Sequence, residues 1–194
     1  MTCSWWKTSV AILVAIPVLG WTARAADEFK VEKGYHSLFN GKDLTGWKAG
    51  KTGTKALDGN KAAFHGRFQV KGGVIVVNEG KGIQDLYTVK DYKKDFHLKL
   101  EFRAAPRADS GVYIRGLQLQ VRDYPTVGPY KDLKHFKKGG WNVLDITVKG
   151  TKALCQCNGE VLEKALKVPA KGGIGLQAET GKFEFRRIRI KELP

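Results

Sequence analysis

The sequence lacks the local motifs of several large enzyme classes. It contains no serine-hydrolase elbow, no phosphate-binding loop, no dinucleotide fingerprint and no haem-attachment motif. Its glycines are spread along the chain as turn residues and do not cluster in one loop. Nucleophilic-serine, nucleotide-dependent and haem chemistry are therefore not predicted by any local pattern.

Cysteine is scarce, with three residues in 194. Cys155 and Cys157 lie two apart on a predicted strand, so their side chains point the same way and are poorly placed to bridge each other. No further Cys or His lies close by in sequence, and a metal site would need more ligands. We expect two buried small side chains there, and the sequence predicts no metal and no other cofactor.

Long apolar runs are also missing, except near the N-terminus. The run from Val10 to Leu19 is too short to span about 30 Å of hydrocarbon. Lys7 precedes it, and Ala23-Arg24-Ala25 fits the small-residue rule for cleavage. Residues 1–25 are therefore predicted to be a cleaved signal peptide. We expect a mature protein in the periplasm or outside the cell, without membrane insertion.

Acidic residues are few relative to basic ones, 19 against 34, which gives a formal net charge of +15. Such a balance is typical of proteins that bind nucleic acid or another polyanion. Here the lysines are scattered through predicted strands and turns, and no nucleic-acid-binding motif accompanies them, so no nucleic-acid partner is predicted. Lysines that prevent strand edges from pairing explain the charge equally well. Binding of an acidic polysaccharide stays open as an alternative.

Helical periodicity is not sustained over three turns anywhere after residue 37. Short alternating runs separated by Gly, Asn and Asp predict an all-β domain over residues 37–194, preceded by a lead-in over residues 26–36. Gly72-Gly73 and Asn158-Gly159 have the composition of two-residue hairpin turns. About ten strands suffice for two packed antiparallel sheets. The residues predicted to lie between the sheets are Phe39, Trp47, Leu98, Leu100, Phe102, Ile114, Leu144, Ile146, Phe185 and Ile188.

Three consecutive predicted strands, residues 95–104, 110–114 and 117–122, carry long polar side chains on their outward positions. Short connections favour neighbouring strands, so we expect these side chains to share one face. Planar hydrogen-bonding groups with an aromatic ring suit a sugar site, although solvent alone also demands a polar outer face. The predicted face consists of Glu101, Arg103, Tyr113, Arg115, Gln118 and Gln120.

Six ordered segments resemble the family of 3-keto-disaccharide hydrolases, also described as 3-keto-glucoside 1,2-lyase/hydratase-like and formerly a domain of unknown function. The first is Ser37–Trp47, which reads SLFNGKDLTGW. The others are residues 95–103, 110–116, 140–142 with 157–160, 173–177 and 183–193. The resemblance implies a concanavalin A-like jelly-roll sandwich of two antiparallel sheets. It also implies that the partner is a small saccharide or polysaccharide whose sugar carries a ketone at C3.

The implied reaction removes the C2 proton beside that ketone and eliminates the C1 oxygen. It needs a base near C2 and a hydrogen-bond donor or positive charge at the C3 oxygen. We assign Arg115 to the enolate or to orienting the substrate, because a guanidinium stays charged and offers several donors. Glu101, Asp123 and His135 are alternative bases; the last two lie in or border a long insertion, residues 123–140, of a length that is more often functional than idle. The substrate-binding candidates are Arg103, Tyr113, Gln118, Gln120 and Trp141.

Gln118 departs from the family pattern, which commonly has a carboxylate at this position. An amide cannot accept a proton at neutral pH, so a base at this position would be missing. A carbohydrate-binding module without catalysis is therefore the alternative to an enzyme.

Overall fold

We describe the protein from a computed structural model, which covers Met1 and residues 29–194. Met1 apart, the predicted signal peptide lies outside the described residues. This part of the chain contains fourteen strands and one short helix, and no helix in it is long and apolar enough to cross a membrane. In chain order the elements are β1 (His36–Ser37), β2 (Trp47–Ala49), β3 (Ala62–Ala63), β4 (Phe68–Lys71), β5 (Val74–Val77), β6 (Gln84–Thr88), β7 (Phe96–Ala104), β8 (Asp109–Ile114), β9 (Leu117–Arg122), α1 (Tyr124–Val127), β10 (Asn142–Lys149), β11 (Lys152–Cys157), β12 (Glu160–Lys167), β13 (Ile174–Ala178) and β14 (Phe183–Glu192).

The strands form two antiparallel sheets, which confirms the predicted fold class. Sheet A has nine strands in the order β12-β11-β10-β7-β14-β5-β4-β3, with β1 paired to β14. Sheet B has five strands in the order β2-β6-β13-β8-β9. The chain crosses from sheet A to sheet B between β7 and β8, so these consecutive strands are not neighbours.

The core lies between the sheets and is built by strict alternation. On β7, Phe96, Leu98, Leu100 and Phe102 point inward and are fully buried. All ten residues predicted from the sequence to be in the core are buried. Cys155 and Cys157 are buried and free, and burial raises the pKa of both thiols to about 12.

The long insertion closes one end of this core. Tyr124 is fully buried and meets Phe102, Tyr130 and Phe136 at ring-centroid distances of 6.2, 5.4 and 5.6 Å. The Tyr130 hydroxyl donates to Oε1 of Glu163 on β12 at 2.6 Å. The length of the insertion is thus used for packing aromatic rings against the core.

Two-residue turns join the hairpins where the sequence predicts them. Gly72-Gly73 and Asn158-Gly159 all have positive φ, the backbone conformation that such turns need. Arg115-Gly116, between β8 and β9, has the same conformation, with φ of 53° and 86°. Arg115 is therefore a turn residue and not an outward-facing strand residue.

Candidate functional site

The six residues of the predicted polar face are divided between the two sheets. Glu101 and Arg103 lie on β7, which pairs with β10 and β14 in sheet A. Tyr113, Gln118 and Gln120 lie on β8 and β9 in sheet B. The prediction of one shared face is wrong, because the crossover between β7 and β8 places their outer surfaces on opposite sides of the sandwich.

The outer surface of sheet A carries charges that neutralise one another. Oε2 of Glu101 is 2.7 Å from Nε of Arg186, and Oε1 is 2.9 Å from Nη1 of Arg187. Arg103 pairs with Glu184. We call this surface the arginine face; it consists of Glu32, Glu101, Arg103, Trp141, Glu184, Arg186, Arg187 and Arg189.

Trp141 and Glu32 are also held by arginine side chains. The guanidiniums of Arg103 and Arg186 lie 4.8 and 3.9 Å from the centroid of the Trp141 ring. Nη2 of Arg189 donates to Oε1 of Glu32 at 2.6 Å, and this hydrogen bond holds the pKa of Glu32 below its ordinary value. Glu101, a predicted base, and Trp141, a predicted substrate-binding residue, are thus both in contact with arginine side chains.

Arg115 is buried, contrary to the predicted outward placement. Its Nη1 donates to the carbonyls of Gly150 and Pro169 at 2.6 and 3.2 Å, and its Nη2 donates to the carbonyl of Lys94 at 2.7 Å. These carbonyls belong to three different connections between strands. Arg115 therefore holds one end of the sandwich together.

The other two candidate bases are also bound to backbone or charge partners. Asp123 is buried, and its Oδ2 accepts from the backbone N–H of Arg107 at 3.0 Å. His135 is exposed; its backbone N–H donates to Oε2 of Glu160 at 2.6 Å, and its ring Nδ1 is 3.7 Å from that oxygen. The four predicted catalytic residues do not come together.

The outer surface of sheet B carries mainly tyrosine and glutamine side chains, where sheet A carries paired charges. Strand register places Tyr87, Gly175, Tyr113 and Gln118 in one row across β6, β13, β8 and β9. The rings of Tyr87 and Tyr113 approach to 5.0 Å between centroids, and a Cβ on Gly175 would come within 2.9 Å of both. Glycine is therefore required between them. We call this surface the tyrosine–glutamine face; it consists of Asp85, Tyr87, Tyr113, Gln118, Gln120 and Gln177.

A chain of hydrogen bonds orders its side chains. Nε2 of Gln118 donates to Oε1 of Gln177 at 2.7 Å, and Nε2 of Gln177 donates to the Tyr113 hydroxyl at 2.8 Å. Gln120 donates to the Ser110 carbonyl at 3.1 Å and to the carboxylate of Asp109. Polar side chains held in this way are suited to recognising hydroxyl groups in fixed directions.

Asp85 is the feature of this face that sequence reasoning missed. Its Oδ1 is buried and has no hydrogen-bond partner among the described residues. Burial raises the pKa of Asp85 above its ordinary value, partly offset by the neighbouring Tyr113 hydroxyl. None of the site residues predicted from the sequence lies on β6. A signal was present, because Asp85 and Tyr87 alternate with the apolar Leu86.

The two tyrosines remain hydrogen-bond donors at neutral pH. Burial raises the pKa of Tyr113 to about 12 and that of Tyr87 well above its ordinary value. A raised carboxylate pKa beside neutral phenols is typical of sites that move protons. Among the residues that the structure describes, no group of three or more His, Cys, Asp or Glu side chains is placed to hold a metal ion.

The family model of the 3-keto-alpha-glucoside-1,2-lyase-like domain matches residues 34–191 of this chain. The chain belongs to that family. The resemblance of the six sequence segments is thereby confirmed. A search of curated protein sequences found no match.

Solved structures share the fold at low sequence identity. Two come from Parabacteroides distasonis and carry the name "putative glycosyl hydrolase". The first is 22% identical, with a TM-score of 0.63 over 83% of this chain and 94% of its own. The second is 20% identical, with a TM-score of 0.55 over 76% of this chain and 99% of its own. The carbohydrate recognition domain of Emp46p is 15% identical, with a TM-score of 0.52 over 84% and 98%. The family thus has a concanavalin A-like jelly-roll sandwich here, as its sequence pattern predicts.

Proposed function

We propose that the protein is an enzyme that cleaves 3-keto-glycosides at the tyrosine–glutamine face. The observation that carries the proposal is Asp85, a carboxylate with a buried, unpartnered oxygen and a raised pKa beside two tyrosines. Membership of the 3-keto-alpha-glucoside-1,2-lyase-like family supports the substrate class. Asp85 thereby replaces Glu101, Asp123 and His135 as the leading candidate for the base.

The reaction needs little more than a base and a donor. In its ionised form Asp85 takes the proton from C2, the electrons of that C–H bond form a C1–C2 double bond, and the C1–O bond breaks. The departing oxygen leaves with a proton as a free alcohol, and an enone remains. Water that adds to the enone at C1, with return of a proton to C2, makes the net reaction a hydrolysis.

The tyrosines supply the donor for the C3 oxygen. The Tyr87 hydroxyl has no hydrogen-bond partner among the described residues, and Tyr87, which is only 3% exposed, lines the pocket beside this face. Its raised pKa keeps it protonated as negative charge develops on the carbonyl oxygen. The Tyr113 hydroxyl lies beside Asp85 and is oriented by Gln177.

Gln118 fits a site that uses Asp85. Its amide donates to Gln177, which in turn donates to Tyr113. A carboxylate at position 118 would face the acceptor oxygen of Gln177 and repel it, so the orientation of Tyr113 would be lost. An amide at this position therefore preserves the network, and the base acts from β6, which is separated from β9 by β13 and β8 in sheet B.

The test is turnover by the purified protein. We expect it to release the unoxidised sugar from at least one of 3-ketotrehalose, 3-ketosucrose and 3-ketolactose. Asp85→Asn should lower kcat by about 10² or more, as loss of a general base does. In D₂O the recovered keto-sugar product should carry deuterium at C2.

Asp145→Asn is the matched control. Asp145 lies on the outer surface of sheet A, where it contacts His97 and Lys99, so the same chemical change there should leave turnover intact. Equal activity of the Asp85 and Asp145 variants would overturn the assignment of the base. Absence of turnover by the unaltered protein on all three substrates would overturn the proposed enzyme.

A saccharide-binding module without catalysis is the second candidate function. The amide at Gln118, in place of the family's usual carboxylate, is the observation that favours it. Calorimetric binding of a neutral disaccharide, weakened in Tyr113→Ala but never followed by release of a sugar, would decide for the binding module.

We also propose that the protein acts in the periplasm or outside the cell. This rests on the signal-like pattern of residues 1–25. The N-terminal sequence of the protein recovered from its native cells should begin at residue 26, whereas retention of Met1 would contradict export by cleavage.

A further inference from the structure

A second pocket adjoins the tyrosine–glutamine face. It has a volume of about 340 Å³, within the range of small-molecule sites. Tyr87 belongs to both, because its ring packs against Tyr113 and also lines this pocket. Tyr87 therefore connects the tyrosine–glutamine face to the pocket.

The rim of the pocket is positively charged. Lys48, Lys51 and Lys171 line it, with Asp91 as the one acidic lining residue among those described. None of the three lysines forms an ion pair with a residue that the structure describes. Lys90, close by, does form one, with Glu192 at 2.6 Å. The three lysines that line the pocket thus have no carboxylate partner among the described residues.

The lysines are placed by the fold. Lys48 is directly opposite Tyr87 in the β2–β6 pairing. Lys51 lies across the hairpin turn, where a Cβ on Gly116 would be 2.7 Å from its Nζ. Lys171 stands in the connection whose Pro169 carbonyl is held by Arg115, and a Cβ on Gly172 in that connection would be 2.6 Å from the Arg115 carbonyl oxygen.

Arg115 adds a buried positive charge to the wall. Burial holds the pKa of its guanidinium below the ordinary value, and its Nε is buried without a hydrogen-bond partner in the described part of the chain. Its remaining bonds go to neutral carbonyls, so no carboxylate is bound to the guanidinium. The pocket thus combines three ammonium groups that form no ion pair among the described residues with a guanidinium that is hydrogen-bonded to neutral carbonyls and attracted through space by Asp95.

We infer that this pocket binds an anionic substituent of the saccharide, a uronate carboxylate or a sulfate ester, so that the natural ligand is an acidic saccharide. This inference rests on the proposed function, since it takes the sugar ring to lie over Tyr87 and Tyr113. Ammonium groups attract either oxyanion, and the partly exposed ring of Tyr113 supplies apolar surface for the sugar ring.

The test compares saccharides of one length that differ in charge. The probes are a trigalacturonate, an O-sulfated galactotriose and neutral galactotriose, with binding measured by calorimetry at 0.1 M salt. We expect one of the two acidic probes to bind about tenfold or more tightly than the neutral one, and the tighter of the two identifies the oxyanion. The combined variant Lys48→Gln, Lys51→Gln and Lys171→Gln should lose about tenfold in affinity for that probe and nothing for the neutral one.

A control variant with the same loss of charge distinguishes binding in the pocket from general attraction to the positive charge of the whole protein. Lys134→Gln, Lys137→Gln and Lys138→Gln together change three exposed lysines on the long insertion, away from β2 and β6. Affinity for the acidic probe should be unchanged in this variant. An equal loss in both variants, or equal affinity of the unaltered protein for acidic and neutral probes, would overturn the inference while leaving the proposed function intact.

A measurement without any saccharide tests the pocket separately. Sodium sulfate should raise the melting temperature of the unaltered protein above its value in sodium chloride of equal ionic strength. The pocket variant should lose this difference and the control variant should keep it. The proposed function is decided separately, by turnover of the 3-keto-disaccharides; an equal sulfate effect in all three proteins would overturn the anion site whether or not that turnover is found.

Discussion

The arginine face of sheet A and the tyrosine–glutamine face of sheet B are both polar, but their groups are used differently. On the arginine face each guanidinium lies against a carboxylate or an aromatic ring of the same protein. On the tyrosine–glutamine face, Oδ1 of Asp85 and the Tyr87 hydroxyl have no partner among the described residues. The first surface is satisfied internally, and the second has polar groups left for a ligand.

This difference shows how a functional face can be distinguished from the other polar face of a two-sheet sandwich. Alternation gives every antiparallel sheet a polar outer surface, so polarity alone does not mark a site. A buried polar group without a partner lowers stability, and such groups are found mainly where a protein uses them. Unpartnered groups, and not charge density, separate the two faces.

The largest effect that we expect concerns Arg115, which links connections at one end of both sheets. Arg115→Ala removes a buried guanidinium and leaves three backbone carbonyls without their donor, so the free energy of unfolding should fall by about 3 kcal/mol. Urea denaturation measures this change. Arg107→Ala is the matched control, because Arg107 is exposed and has the same positive φ. Equal stability of the two variants would show that Arg115 is not part of the scaffold.

A smaller effect tests whether the arginine face has only a structural role. Glu101→Gln weakens the bonds to Arg186 and Arg187, so the free energy of unfolding should fall by about 1–2 kcal/mol. Turnover of a 3-keto-glycoside per folded molecule should be unchanged. A loss of turnover at unchanged stability would restore Glu101 as the base and remove the contrast between the faces.

The smallest effect concerns the pH dependence of stability, which we expect to have opposite signs for a carboxylate on each of the two faces. The pKa of Asp85 is raised above 3.8, so its charging costs stability as the pH rises from below 4 through the raised pKa. Asp85→Asn should therefore raise the melting temperature at pH 7 and leave it unchanged near pH 3.

Glu32 should behave in the reverse sense. Its pKa is lowered by Arg189, so its stabilising effect is present above the ordinary value of 4.5 and is lost as the pH falls through the lowered pKa. Glu32→Gln should lower the melting temperature at pH 7 but not at the acidic end of the titration. Melting curves of both variants between pH 3 and pH 7 test the pair; slopes of the same sign would contradict it.

Local sequence pattern was enough to predict two antiparallel sheets and the core between them, whereas the jelly-roll architecture was implied by the family resemblance. The period of two on β7 places Leu98, Leu100 and Phe102 inward whatever the neighbouring strands are. Glycine and asparagine at the turns give the hairpins in the same local way. These predictions needed no knowledge of the order of strands in the sheets.

The site could be predicted only in part, because it depends on that order. Tyr113, Gln118 and Gln120 were correctly grouped, since a two-residue hairpin joins their strands. Glu101 and Arg103 were wrongly added, since alternation does not reveal the crossover that follows β7. Asp85 and Gln177 were left out, because β6 and β13 join β8 by pairings distant in sequence.

The packing of Trp141 against Arg103 and Arg186 has a practical consequence for spectroscopy. The described residues contain two tryptophans, and Trp47 is fully buried, with its indole N–H donating to the Leu38 carbonyl at 2.7 Å. One indole thus belongs to sheet B and the other to the outer surface of sheet A. The pair are built-in fluorophores, one for each half of the sandwich. With each replaced in turn by phenylalanine, their emission shows whether the two sheets separate and unfold in one step or in two.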